Sequence, residues 1–158
     1  MPTRLLPFII SLALVTGSSF VNADVSTPSI FGDHMVLQRN LANPVWGWAN
    51  PGEKIVVSIA GQSHSTKADS KGDWKISLDQ LPAGGPHSMM IEGKNTLSYA
   101  DILVGEVWIC SGQSNMQWPV SKSYDGDLVA ATGNSSQIRL ISVPQVGTQE
   151  AQSDFDGQ

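Results

Sequence analysis

The chain has 158 residues, 41% of them hydrophobic and 15% charged, a balance that packs rather than stays disordered. Fourteen acidic against nine basic residues give a net charge of -5, and no Lys/Arg cluster is present to displace counterions, so nucleic acid is excluded as a partner. One cysteine and three scattered histidines, His34, His64 and His87, exclude an internal disulfide framework, a paired-thiolate zinc site and a helical i, i+4 metal site.

The first element is an export signal. Arg4 supplies a positive charge, residues 5–15 are largely apolar, and Val21-Asn22-Ala23 fits the small-x-small cleavage pattern. The apolar run is shorter than the roughly 20 residues a membrane span needs. Residues 1–23 are therefore expected to be removed before Asp24, leaving an exported protein, periplasmic or extracellular, with no membrane attachment.

Short strands follow. Residues 35–38, 45–49, 54–60, 63–68, 73–78 and 88–92 read as β, and turn signals separate them at Asn50-Pro51-Gly52, Gly61-Gln62, residues 69–72 and residues 82–86. Trp74, Ile76 and Leu78 alternate on one face, while residues 54–60 are β-branched and apolar. This spacing predicts an all-β, sandwich-like region over residues 24–103.

The pattern changes at residue 104. Residues 103–110 are apolar on both faces, as in a strand buried between layers. Residues 125–132 suit a short helix that ends at Gly133, and residues 137–143 suit another strand. Strand, helix, strand is the opening of an α/β domain. Two strands cannot close such a sheet, so residues 104–158 are expected to be its incomplete start. The tail from residue 145 is polar and lacks periodicity.

The chemistry concentrates between these elements, at Ser111-Gly112-Gln113-Ser114-Asn115. A serine on a tight turn after a buried strand is held rigidly, with the following N–H groups facing developing negative charge. Ser111 and Ser114 compete for this role, and an ordinary polar turn has the same composition. Met116 stands where the second glycine of a G-x-S-x-G elbow would be. Cys110, with no cationic neighbour, reads as a buried structural residue. Trp46 and Trp48 share a strand face; packing is favoured over sugar stacking. Nothing fixes the separation of Asp101 and Glu106 that glycoside chemistry would require.

The stretch from Gly105 to Pro119, centred on Gly112-Gln113-Ser114-Asn115-Met116, resembles the first motif block of the sialate O-acetylesterase family, within the SGNH hydrolases. Phe31-Gly32-Asp33-His34 through Arg39, Pro44 to Gly47, Pro51-Gly52-Glu53, Gly72-Asp73-Trp74 and Gly84-Gly85-Pro86 resemble the family's β region in the same order. The resemblance implies a three-layer hydrolase domain beginning at residue 104. It also implies a serine esterase that removes acetyl groups from sugar hydroxyls without a metal or other cofactor. By it, Ser114 is the nucleophile and its backbone N–H an oxyanion donor, while Gly112, Gln113 and Asn115 support the turn. The family's Asp-x-x-His segment has no counterpart here, so the catalytic His and Asp are absent and the chain alone is expected to be inactive. The expected partner is an O-acetylated sialic acid or another acetylated glycan. The alternatives are an esterase for acetylated polysaccharide of the xylan type and a non-catalytic carbohydrate-binding β module.

Overall fold

A computed structural model describes residues 24–147 and 149–155; the expected signal peptide over residues 1–23 lies outside them. The strands are β1 (Val36–Gln38), β2 (Pro44–Trp48), β3 (Lys54–Ile59), β4 (Gln62–Lys67), β5 (Asp73–Ser77), β6 (Gly84–Glu92) and β7 (Thr96–Gly105). β3 buries Ile55, Val57 and Ile59 and turns the residues between them outward, the two-residue period of a strand with one face in a core. β5 buries Trp74 and Ile76, and Leu78 continues that face, as its alternation predicts.

The strands form a five-stranded sheet, in the order β1-β7-β6-β3-β4, and a two-stranded sheet of β2 and β5. β1 runs parallel to β7, and all other pairs are antiparallel. Val45, Trp74 and Ile76 of the small sheet and Val57, Met89, Ile91 and Ile102 of the large one belong to a single buried cluster. The β-rich expectation for residues 24–103 thus holds in its coarse form, a mostly β protein.

Two local features explain how the small sheet is held. Ser26 and Trp48 exchange two backbone hydrogen bonds, of 2.8 and 2.9 Å, so the N-terminal segment pairs with the end of β2. Gly47 sits beneath this crossing: a Cβ there would overlap the Ser26 carbonyl oxygen and stand 3.0 Å from the Trp74 ring.

Several boundaries differ from expectation. The β3–β4 hairpin turns at Ala60-Gly61, both with positive φ (49° and 82°), rather than at Gly61-Gln62. A two-residue primed turn requires that pair of angles. β6 begins earlier than expected and takes in Pro86 at a register irregularity between Gly84 and His87, a place where a strand tolerates proline. β7 runs straight through the pattern change at residues 103–104.

Beyond β7 the expected β-α-β unit is not formed among the described residues. Only its helix is present, α1 (Gly126–Thr132), preceded by 3₁₀ turns at Ser114–Gln117 and Val120–Lys122. The segments expected as strands, residues 106–110 and 137–143, have no strand partners there, and a strand apolar on both faces needs layers on both sides. Consequently Trp108 is 82% exposed, Ile109 93% and Leu140 94%.

Candidate active site

The chain leaves the sheet through a cap formed by one side chain. The parallel ladder ends at Gln38 and Gly105. Beyond it, the Val107 N–H donates to Gln38 Oε1 at 2.8 Å, and Gln38 Nε2 donates to Glu106 Oε2 at 2.9 Å. The Arg39 N–H donates to the Gly105 carbonyl at 2.8 Å, and its side chain lies 3.6 Å from the Glu106 carboxylate. Glu106 is therefore an anchor for the exit of β7, and Asp101 is engaged elsewhere.

Beyond that cap, Gln113 is extended (φ -98°, ψ -155°) and Ser114 opens a 3₁₀ turn. The Met116 N–H donates to the Gln113 carbonyl at 2.9 Å, which closes the turn, and the Trp118 N–H reaches the Asn115 carbonyl at 3.3 Å. Gly112 faces Met116, and a Cβ on it would come within 3.3 Å of the Met116 Cβ, so the tight approach suits glycine. Gly112, Gln113, Ser114 and Asn115 are all solvent-exposed. The structure thus gathers the motif residues on one turn, with Ser114 at its start and Ser111 in the extended segment before it.

No described side chain hydrogen-bonds to Ser114 Oγ. His64 Nε2 lies 3.0 Å from Gln62 Oε1 and 3.3 Å from Asp79 Oδ2, and His34 Nδ1 lies 2.6 Å from Asp101 Oδ2. These pairings occupy two of the three histidines within the β region. Among the described residues, no group of three or more His, Cys, Asp or Glu side chains could hold a metal ion.

The His34–Asp101–Arg139 cluster has no counterpart in the sequence pattern, which sets Asp101 only against Glu106. Asp101 stands at φ 53° and His34 at φ 67°. Arg139 Nη2 donates to Asp101 Oδ2 at 2.8 Å, tying the segment after α1 back to β7. Separations of 67 and 38 residues leave no local signal for these contacts. The His34 hydrogen bond first, then the Arg139 contact, hold the Asp101 carboxyl below the ordinary aspartate range. A depressed carboxyl pKa contributes stability that is present above its unfolded value, about 3.9, and is lost as pH falls through the folded value. Asp101→Asn keeps a residue that tolerates positive φ. It is expected to lower the melting temperature at pH 6, with the difference from wild type fading below about pH 4. Paired melting curves check this; a difference independent of pH would contradict it.

Cys110 is exposed. The expectation of a buried structural thiol fails because the strand expected to carry it ends at Gly105, five residues before it. Trp46, by contrast, packs against the core, with its ring 4.8 Å from that of Phe31 at 79°, in line with the packing role read from the sequence.

No protein-family model matches the chain. It is 32% identical to the sialate O-acetylesterase of Mus musculus over 80% of its length, and 34% identical to that of Homo sapiens over 80%. The crystal structure of a carbohydrate acetylesterase from Xanthomonas citri superposes with a TM-score of 0.81 at 38% identity, covering 85% of this chain. The chain spans about a quarter of the length of the curated relatives, 26% and 27%, and 32% of that solved chain.

Proposed function

From the chain's relationship to the sialate O-acetylesterases across 80% of its residues, we propose that it is the nucleophile-bearing portion of an exported carbohydrate O-acetylesterase of the SGNH type. The observation that carries this reading is the Ser114 turn: a serine exposed on a tight turn that follows Val107, where Gln38 pins the strand exit. Ser114 Oγ attacks the ester carbonyl of an acetylated sugar, and the Ser114 N–H donates to the oxyanion. Expulsion of the sugar hydroxyl leaves an acetyl-enzyme, which water hydrolyses to acetate.

A serine hydroxyl needs a base to act at neutral pH, and no described residue is bonded to Ser114 Oγ. In this reading a further portion of the protein supplies the histidine and its orienting aspartate. The same portion covers Trp108, Ile109 and Leu140, whose exposure otherwise leaves a large apolar surface facing water. The chain alone is then inactive.

The test is acetate release by the chain joined to its downstream reading frame, with O-acetylated sialic acid and acetylated xylo-oligosaccharide offered in parallel. Faster turnover of the sialic acid supports the sialate reading, and the reverse outcome selects the polysaccharide alternative. Inertness toward both sinks the esterase reading. Intact mass of the secreted product is expected to place its N-terminus at Asp24; a product that retains residues 1–23 overturns the export part.

A further inference from the structure

The outer face of the two-stranded sheet carries groups that the Ser114 turn does not use, and of these Trp46 also touches the core through Phe31. β2 buries Val45 and Gly47 and turns Trp46 and Trp48 to the other side, both half-buried. The register places Lys75 opposite Trp46 and Asp73 opposite Trp48, and directly opposed residues in a sheet share a face. Two indoles about 6.8 Å apart along a strand are thus bordered by an ammonium and a carboxylate. Together they line an open depression of about 650 Å³.

We propose that this face is a glycan-binding platform, separate from the Ser114 turn, that takes a pyranose ring. A pyranose offers an apolar C–H face for an indole to cover and a ring of hydroxyls that need both donors and acceptors. Among the described residues, the side chains of Asp73 and Lys75 have no hydrogen-bond or ion-pair partner, so an acceptor and a donor are available at the rim. The platform is also rigid. Trp48 is tied by its backbone to Ser26 on one side and paired with β5 on the other, and Trp46 is braced by Phe31. Asp69 Oδ1 accepts from the Lys71 and Asp73 N–H groups at 2.7 and 3.0 Å, which fixes the turn leading into β5. Binding to a preformed surface avoids most of the ordering cost that weakens flexible sites.

The inference stands without the esterase reading, because it concerns binding and a different sheet. The test titrates the ¹⁵N-labelled chain with neutral xylo- and gluco-oligosaccharides in one arm and sialyllactose in the other. The indole N–H signals of Trp46 and Trp48 are expected to move in at least one arm, while the amides of Gly112 to Asn115 stay in place. Trp48→Ala is expected to raise Kd at least about tenfold. Lys75→Ala, at an exposed position that leaves the fold intact, is expected to raise it about threefold. Melting curves of both variants establish that they fold. Absence of binding in both arms overturns the proposal, as does a Kd indifferent to both substitutions. Shifts confined to the Ser114 turn overturn it too, as does burial of Trp48 by the segment around Ser153, which also lines the depression.

Discussion

Ser114→Ala in the protein extended by its base-bearing portion is expected to lower kcat by about 10⁴–10⁶, the loss seen when one member of a nucleophile–base unit is removed. KM for the acetylated sugar is expected to change little, because Oγ bonds to the acyl carbon only during reaction. Ser111→Ala is the control. Ser111 is exposed in the segment before the turn and lies in no strand or helix, so its loss is expected to shift stability by no more than about 0.5 kcal/mol and to leave kcat within about tenfold. Steady-state kinetics of both variants, with fluorophosphonate labelling to mark the reactive serine, decide the matter. A label on Ser111, or an active Ser114→Ala enzyme, would remove Ser114 from the chemistry.

The largest expected effect on stability comes from Gly47→Ala. The added methyl meets the Ser26 carbonyl oxygen, a backbone atom with no rotamer to swing aside, and the ring of the buried Trp74 behind it. Relief requires the N-terminal segment to lift off β2, which breaks both Ser26–Trp48 hydrogen bonds. The cost is expected to be about 3 kcal/mol, the upper part of the range for overpacking. Gly52→Ala offers a contrast: Gly52 has φ 77°, but a methyl added there would meet nothing within 4 Å, so only left-handed strain of about 1–2 kcal/mol applies. Urea unfolding of the two variants measures the difference. Equal midpoints would show that the Ser26 crossing yields easily.

The parts of the fold legible in the sequence are those where one side of a strand meets the core and the other meets water. Trp74, Ile76 and Leu78 announce their face, and so does the β-branched run of β3. β7 is hidden over residues 96–102: Leu97 and Tyr99 are only half-buried among polar neighbours, and Asp101 interrupts the backbone with a positive φ. The opposite error arises at residues 106–110, whose apolar composition reads as a buried strand although no described layer covers them. The Ser114 turn is legible because Gly112 and the residues after it act locally. The supports around it are not. Gln38 reaches Val107 across 69 positions and His34 reaches Asp101 across 67, and only the folded sheet brings those residues together.

The parallel pairing of β1 with β7 also orders events during synthesis. The β3–β4 hairpin joins strands that are adjacent in sequence, whereas the partner of Val36, Leu103, is synthesised much later. At roughly 5–20 residues per second, β1 leaves the ribosome several seconds ahead of the strand that receives it. Closing so long a loop adds entropy cost and slows folding relative to local contacts. Gln38, which pins the exit of β7 towards Ser114, therefore takes its position late. The direction in which the chain leaves the sheet toward Ser114 thus depends on a contact between residues 69 positions apart.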